Sequence, residues 1–264
     1  MPKRDELQNL LAFARRTLET AGRIAMQYFR VPITVENKSS AGRFDPVTRA
    51  DREIETYIRE QISAAYPGHA IVGEEAPPQA GRDNYKWFID PIDGTKAFIS
   101  GVPMWGMLLG LMEDDICRFG LLHQPFLNET FSGSALGAYL HRGKDRRALA
   151  TRATGNLSEA ILYCTHPSMF QSAADFNSFR RVADLCKLMR YGGDCYSYCL
   201  LAHGLIDLVI EADLKPHDIV PLIPIIEAAG GVVTDWRGTS AVHGGRIVAA
   251  ANADLHAQAL RLLK

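Results

Sequence analysis

The chain has 264 residues, 47% of them hydrophobic, and its 29 Lys and Arg residues nearly balance its 30 Asp and Glu residues, for a formal net charge of −1. A chain of this length can bury a core without disulfide or metal support, and its composition excludes a collagen, a coiled coil or a wholly disordered protein. Because there is no basic excess, no nucleic-acid partner is expected.

The first twenty residues and the cysteines indicate the cellular compartment of the protein. Residues 1–20 are charged throughout and contain no apolar signal segment, and no run of about 18 apolar residues occurs that could cross a membrane. The five cysteines are scattered without a CxxC pair, which is typical of reduced thiols. We therefore expect a cytoplasmic protein with no membrane association. Cys195 and Cys199 would share one face of a helix, which favours small buried side chains over a redox or metal pair.

The first half of the chain predicts helices followed by an antiparallel sheet. Apolar residues at helical spacing predict a helix over 5–30, the polar segment 37–45 predicts a mobile loop, and a second helix begins at Thr48, where Thr48 and Asp51 resemble a capping box. Short apolar runs then predict strands. These runs cover 70–72, 87–89, 107–112, 117–123, 129–132 and 138–140.

The second half predicts a small α/β layer domain, because strands and helices alternate there. The basic and polar segment 143–156 is the predicted boundary, giving domains over 1–145 and 146–264. The predicted strands cover 161–164, 206–211, 232–234 and 247–250. The predicted helices cover 173–187, 195–203, 216–229 and 253–263.

Residues 87–95 place two aspartates at the end of a predicted strand. Asp90 ends an apolar run, Pro91 fixes one backbone dihedral, and Asp93 follows before Gly94, which allows a sharp turn. Two carboxylates this close repel each other, so they need a cation or a shared proton. Glu74, after the preceding predicted strand, could join them. Oxygen ligands suit Mg²⁺ or Mn²⁺, and the absence of His or Cys from this set argues against zinc.

Gly94 and Thr95 could also begin a helix, whose free N–H groups would bind an anion beside the metal. A metal next to an anion site is typical of phosphate chemistry. The alternative is that these residues only form turns. The complete string 90–95 (DPIDGT), preceded by 73–75 (GEE), makes that alternative less favoured.

Several stretches resemble the inositol monophosphatase family of Mg²⁺-dependent phosphatases, over nearly the whole chain. The matching stretches, in order, are 44–51 (FDPVTRAD), 72–75 (VGEE), 87–95 (WFIDPIDGT), 216–219 (PHDI) and 227–231 (EAAGG). One departure is His217, which stands where the family usually has Trp. It either ligates a metal or, as we favour, fills a packing position beside Asp218.

This resemblance implies a fold and a metal site. The fold is an α/β (α+β) layered α-β-α-β-α sandwich, commonly found as a homodimer. Two or three Mg²⁺ ions, or Mn²⁺, would bind there. Glu74, Asp90 and the Ile92 carbonyl would hold the first ion, and Asp90, Asp93 and Asp218 the second. A third, weaker ion would lie near Glu74, which we count as catalytic as well as metal-binding.

The resemblance also implies catalytic and phosphate-binding roles. The Thr95 hydroxyl and Asp51 would form a pair that positions and deprotonates a water, although Asp51 could serve only as a helix cap. Backbone groups of Gly94 and Thr95, with Asp93 beside them, would hold the phosphate. Lys38 would steady the phosphate or orient the water, or would be a solvated surface lysine.

The segment 190–199 (RYGGDCYSYC) resembles the histidinol-phosphatase branch of the family, as do 98–101, 105–106 and 123–126. Asp194, Cys195 and Glu211 are the predicted contacts to the leaving group. The two carboxylates would suit the cationic histidinol, with a contact worth roughly 1 kcal/mol. Alternatively, Asp194 is a helix N-cap and Glu211 binds inositol hydroxyls.

We therefore predict a phosphatase of small phosphorylated substrates, with histidinol phosphate as the substrate. The alternative enzymes are an inositol monophosphatase and a broad-specificity sugar or polyol phosphatase. An additional non-catalytic role in binding a partner protein is a further alternative, for which the basic segment 142–152 could serve as the surface.

Overall fold

The computed structural model describes residues 4–37 and 46–264. Apolar residues at helical spacing form the helices, as in the first, where Leu7, Leu10, Ala14 and Leu18 are buried on one face. The helices are α1 (Arg4–Tyr28), α2 (Arg49–Ala65), α3 (Thr95–Ile99), α4 (Ala173–Ala183), α5 (Asp194–Ala202), α6 (Pro216–Ile219), α7 (Ile223–Ala228) and α8 (Ala253–Leu263). In the described part of the chain, none of them combines the length and the apolar character that crossing a membrane requires.

The strands form a short hairpin and two sheets. The first seven are β1 (Val35–Asn37), β2 (Pro46–Thr48), β3 (Ala70–Gly73), β4 (Tyr85–Asp93), β5 (Gly106–Glu113), β6 (Ile116–Gln124) and β7 (Glu129–Ser134). The others are β8 (Gly137–Arg142), β9 (Asp145–Ala148), β10 (Ile161–Cys164), β11 (Leu188–Tyr191), β12 (Leu208–Leu214), β13 (Val232–Asp235) and β14 (Gly245–Ala250). β1 pairs with β2, one sheet has the order β3-β4-β5-β6-β7-β8-β9, and the other has the order β11-β10-β12-β14-β13.

The elements stack in five layers, which confirms the predicted α-β-α-β-α sandwich. α1 and α2 cover one face of the seven-stranded sheet, in a core that includes Ile54 and Trp87. α5 and α7 fill the space between the two sheets, where Tyr198 and Ile225 are buried. α4 and α8 cover the outer face of the five-stranded sheet around Phe179.

The segment from α6 to α7 lies directly on the seven-stranded sheet because glycines face it from three neighbouring strands. A Cβ on Gly120 would overlap the backbone carbonyl of Pro221, and a Cβ on Gly133 would overlap the backbone of Ile225. A Cβ on Gly110 would lie 3.0 Å from the Cα of Pro221. Side chains at these positions would therefore push α6 and α7 away from the sheet.

Several elements differ from the sequence prediction. The hairpin β1–β2 and the edge strand β11 are additional, and the helix expected over 173–187 ends earlier, at Ala183. The helix expected over 216–229 is two helices, α6 and α7. Pro221 lies between them, and a proline ring removes a backbone donor and clashes with the preceding helical turn.

The predicted boundary segment contributes a strand. β9 pairs with β8 in the seven-stranded sheet, so this sheet continues past residue 145. We therefore propose that the boundary between the two domains falls after Ala148, within the segment 143–156 that was predicted to separate them.

Asp235 gives the stability of the second half a predicted dependence on pH. Its carboxylate accepts hydrogen bonds from the backbone N–H groups of Arg237 and Thr239 at 2.9 and 2.8 Å, and from both side chains. Burial acts to raise the pKa of Asp235, but the bonds from Thr239 and Arg237 outweigh it and lower the pKa to about 2. The ionised group therefore stabilises the folded state fully above about pH 4, and this contribution is lost as the pH falls through about 2.

We expect Asp235→Asn to lower the free energy of unfolding by roughly 1–2 kcal/mol at pH 7. The difference from the parent should shrink by about half at pH 3, because the carboxylate is then largely protonated in the unfolded chain but still largely ionised in the folded one. Urea unfolding at pH 7, 5 and 3 measures both effects. A difference that stays the same at all three pH values would contradict the assignment.

Candidate active site

The end of β4 aims two aspartates at one place. The pairing of β4 with β5 shifts register between Asp90 and Asp93, and such a bulge re-aims side chains at the edge of a sheet. Asp90 is 2% exposed, and its Oδ1 accepts a bond from the Ile92 N–H at 3.0 Å. Gly94 follows with φ 85° as the N-cap of α3, a left-handed conformation that glycine adopts without strain. The helix predicted to begin at this glycine is thus confirmed.

Asp218 joins these two aspartates from the second half of the chain. One carboxylate oxygen from each of Asp90, Asp93 and Asp218 lies within 4.8 Å of the others. Asp218 is fixed on the first turn of α6, where its Oδ2 accepts a bond from the Lys215 N–H at 2.7 Å. The structure therefore brings together three of the four predicted carboxylate ligands.

The electrostatics of this cluster favour a bound cation. Burial and the charges of Glu74, Asp93 and Asp218 raise the pKa of Asp90 well above its usual range. Burial and the charge of Asp218 do the same for Asp93. A divalent ion would relieve this repulsion. Within the described residues the cluster contains neither His nor Cys, and an all-oxygen donor set fits Mg²⁺ or Mn²⁺.

Glu74 lies beside the three-aspartate cluster without being part of it, although its charge acts on both Asp90 and Asp218. The turn that carries it is held by α2. Glu55, 1% exposed, accepts bonds from the backbone N–H groups of Glu75 at 2.7 Å and Ala76 at 3.1 Å. The sequence analysis did not identify Glu55. The available signal was its position four residues before Arg59, a spacing that allows an ion pair on one helix face.

Arg59 completes the support of this turn. Its Nε donates to Glu55 Oε1 at 2.7 Å, and its Nη2 donates to the carbonyl of Ala76 at 2.9 Å. The Glu55 charge is thus paired and hydrogen-bonded, as a buried charge requires. Glu74 is therefore placed beside Asp90 by contacts from the second helix as well as by its own strand.

Asp51 and Thr95 each have a contact that the sequence indicated only in part. Asp51 is fully buried, and its Oδ2 accepts bonds from the N–H of Thr48 at 2.8 Å and its hydroxyl at 2.6 Å. This confirms the capping box. The Thr95 hydroxyl donates to the Ile92 carbonyl at 3.0 Å. Their joint action on a water stays a prediction.

Asp194 lies against the turn at Gly94. A Cβ on Gly94 would lie 3.2 Å from the Cβ of Asp194. The alternative that Asp194 is a helix N-cap is wrong, because Gly193 is the N-cap and Asp194 is the first helical residue of α5. Burial and the charge of Glu211 raise the pKa of Asp194 to about 7, although Lys96 acts in the opposite direction.

Glu211 is 2% exposed and is held at both oxygens. The Thr165 N–H donates to Oε1 at 2.7 Å, and the Tyr198 hydroxyl donates to Oε2 at 2.9 Å. Tyr198 is a site residue that sequence reasoning missed, and its only signal was a polar group within an apolar helix. Cys195, 2% exposed, donates its N–H to Asp93 Oδ1 at 3.2 Å.

The two remaining predicted residues have different outcomes. His217 Nε2 lies 3.3 Å from Asp218 Oδ1, and the choice between a packing position and a metal ligand stays a prediction. Lys38 and the start of the segment 44–51 lie outside the described residues. Cys199 is fully buried, as the interpretation of the cysteines expected.

Comparison with known proteins gives concordant results. A model described as the inositol monophosphatase family matches residues 6–264. The chain is 38% identical to the "Bifunctional phosphatase IMPL2, chloroplastic" of Arabidopsis thaliana, over 98% of this chain and 76% of that protein. It is 30% identical to a histidinol-phosphatase of Mycobacterium tuberculosis, over 98% of both. A solved inositol monophosphatase of Zymomonas mobilis has a TM-score of 0.85 and 33% identity, covering 97% of this chain and 98% of that one.

Proposed function

The chain belongs to the inositol monophosphatase family and is a phosphatase of small phosphorylated substrates, and from this premise we propose that its substrate is L-histidinol phosphate. Enzymes of the family are metal-dependent, typically with Mg²⁺. The observation that carries the choice of substrate is the acidic pair Asp194 and Glu211, which lies close enough to raise the pKa of Asp93. A histidinol-phosphatase among the relatives supports the same choice.

We assign the metal-binding roles to the aspartate cluster and to its neighbours, Glu74 and the Ile92 carbonyl. Asp90, Asp93 and Asp218 would hold one Mg²⁺ ion, and Glu74, Asp90 and the Ile92 carbonyl a second. When bound, such ions lower the pKa of water and stabilise charge on the leaving oxygen. The Cys195 N–H, which donates to Asp93, orients that carboxylate. Glu55 and Arg59 hold the turn that carries Glu74.

The remaining assignments concern the proton and the phosphate. Asp51, fixed by Thr48, would accept a proton from the attacking water, and the Thr95 hydroxyl would orient that water. Backbone N–H groups at Gly94 and Thr95 would hold the phosphate oxygens, with Lys38 nearby. The resemblance also leads us to propose a homodimer, which sedimentation of the purified chain would test.

The acidic pair would select the leaving group by charge. Histidinol carries an ammonium group and an imidazole, whereas inositol is a neutral polyol that offers only hydroxyls. Because Thr165 and Tyr198 already hold both oxygens of Glu211, Asp194 is the group we assign to direct contact with the ammonium. Glu211 would then act on the substrate through its charge.

The first test compares two substrates at equal concentrations in Mg²⁺. We expect phosphate release with a kcat/KM at least about a hundredfold higher for L-histidinol phosphate than for inositol 1-phosphate. The second substrate is the appropriate competitor because a solved relative is an inositol monophosphatase. Comparable or reversed values would reject histidinol phosphate and favour the polyol substrate.

Asp194→Asn tests the basis of that preference. We expect the KM for L-histidinol phosphate to rise about fivefold, because one partly exposed charge contact is worth roughly 1 kcal/mol. The kcat should stay within about twofold, as should the KM for inositol 1-phosphate. Asp115→Asn makes the same chemical change at an exposed turn and serves as the control. Equal effects on both substrates would exclude charge selection by Asp194.

A further inference from the structure

A second concave site lies away from the aspartate cluster, between α1 and the ends of β6, β7 and β8. Its volume is about 410 Å³, within the range of sites that hold small metabolites. The floor is polar: His123 is 4% exposed and Thr130 is 3% exposed. Glu19, Gly22 and Arg23 of α1 and His141 of β8 also line the site.

The hydrogen bonds of His123 fix which ring nitrogen carries the proton. Its Nδ1 lies 3.2 Å from the Glu129 carbonyl oxygen and 2.9 Å from Thr130 Oγ1. A carbonyl oxygen only accepts, so we assign the ring proton to Nδ1, with the Thr130 hydroxyl oxygen as a second acceptor, and this assignment leaves the lone pair on Nε2. Burial lowers the pKa of His123 to about 4, so the ring is neutral at pH 7. Nε2 is therefore a buried acceptor on the floor of the cavity.

Gly22 keeps α1 close to this nitrogen. A Cβ on Gly22 would lie 2.7 Å from His123 Nε2, so any larger residue would displace the ring. Glycine within a helix is unfavourable by about 1 kcal/mol relative to alanine. α1 therefore carries a helix-weakening residue at the position where it meets the acceptor.

The same cavity has one arginine in its lining, Arg23, and a second arginine, Arg15, contacts the lining residue His141. Arg15 Nη1 lies 3.1 Å from His141 Nδ1. Burial, followed by the charges of Arg15 and Arg146, lowers the pKa of His141 to about 4, so this ring is neutral at pH 7. Glu19, the acidic lining residue, is paired with Arg15 at 3.5 Å. Arg23, at the rim, has no carboxylate within ion-pair distance in the described part of the chain.

We propose that this cavity binds a small carboxylate or phosphate that also carries its own O–H or N–H donor. Arg23 pairs with the anionic group, and the donor bonds to Nε2 of His123. An anion without a donor would place an oxygen lone pair against the nitrogen lone pair, and a ligand without an anionic group would have no partner for Arg23. The site is independent of the aspartate cluster and of the proposed substrate.

The test uses the Mg²⁺-loaded protein and three probes: L-malate and L-aspartate, which carry a donor, and succinate, which does not. Long-range ¹⁵N–¹H spectra report the histidine side chains. We expect malate or aspartate to shift the His123 and His141 signals saturably, with an affinity at least about tenfold higher than that of succinate. The His217 signal, beside the aspartate cluster, should stay in place.

Matched variants separate the site from general electrostatics. Arg23→Ala should weaken malate or aspartate binding about tenfold. Arg16→Ala, the same change at an exposed position of α1 outside the cavity, should leave binding within twofold. Because both arginines are exposed, both variants should fold. The proposal is overturned if the three probes bind equally, if none binds saturably, or if the two variants weaken binding equally.

Discussion

Asp93→Asn should lower kcat/KM by about 10²–10³-fold and weaken Mg²⁺ binding. Asparagine keeps the shape of the side chain but removes one of the three charges whose oxygens lie within 4.8 Å of one another. A metal ion contributes several kcal/mol to phosphate-ester hydrolysis, and each 1.4 kcal/mol is about tenfold in rate. Phosphate release and calorimetric Mg²⁺ titration measure the two effects.

Without metal, the same substitution should not harm the protein: its thermal stability should stay unchanged or increase. Burial and neighbouring carboxylates raise the pKa of Asp93. An ionised Asp93 therefore destabilises the folded protein when no cation is bound. Asp93→Asn should therefore unfold at the same or a higher temperature than the parent in EDTA, and should lose the stabilisation that Mg²⁺ gives the parent. Asp115→Asn is again the control. Unchanged turnover together with unchanged Mg²⁺ affinity would falsify the metal assignment.

The largest effect on stability is expected at Gly120, on the face of the seven-stranded sheet that α7 covers. Gly120→Ala should lower the free energy of unfolding by at least about 3 kcal/mol, because its Cβ would overlap the backbone carbonyl of Pro221 and not the end of a flexible side chain. Gly133→Ala should behave similarly. Urea unfolding, with coincident fluorescence and circular-dichroism transitions, measures the loss.

Two further variants keep this prediction testable even if Gly120→Ala does not fold. Gly110→Ala should be milder, because its Cβ would lie 3.0 Å from the Cα of Pro221 and a small shift relieves it. A Cβ on Gly155 would have no heavy atom within 4 Å beyond its own residue and its two chain neighbours. Gly155→Ala should therefore change the free energy of unfolding by less than about 0.5 kcal/mol. If Gly110→Ala matched Gly155→Ala, close packing at this face would not limit stability.

The layered fold could be predicted largely because its long elements carry periodic burial. α1, α2 and the central strands of the first sheet bury one face or both, and their apolar residues repeat accordingly. β9 and β11 lie at the edges of their sheets, and most of their residues are exposed. Their pairing depends on backbone hydrogen bonds to a neighbouring strand, which leave no periodic pattern in the side chains.

The site could be predicted from the sequence only where its residues are close in the chain. Asp90 and Asp93 follow one strand, so their convergence can be inferred from a turn. Asp218 comes from the other half, and only the family resemblance connected it with them. Tyr198 and Glu55 were missed because each acts by holding another group, a contact that depends on how the layers dock.

The position of Asp218 affects how a large mutational screen of activity should be interpreted. α6 carries Asp218 just before Pro221, which rests on the glycine face of the sheet. A substitution that lifts α6 slightly would keep every proposed metal ligand in the sequence but would move Asp218 away from Asp90 and Asp93. In a screen at one limiting Mg²⁺ concentration, such a packing variant would score as a loss of catalysis. Repeating the screen at saturating Mg²⁺ would restore its activity, whereas a variant that lacks a carboxylate of the cluster, such as Asp93→Asn, would keep a lowered kcat.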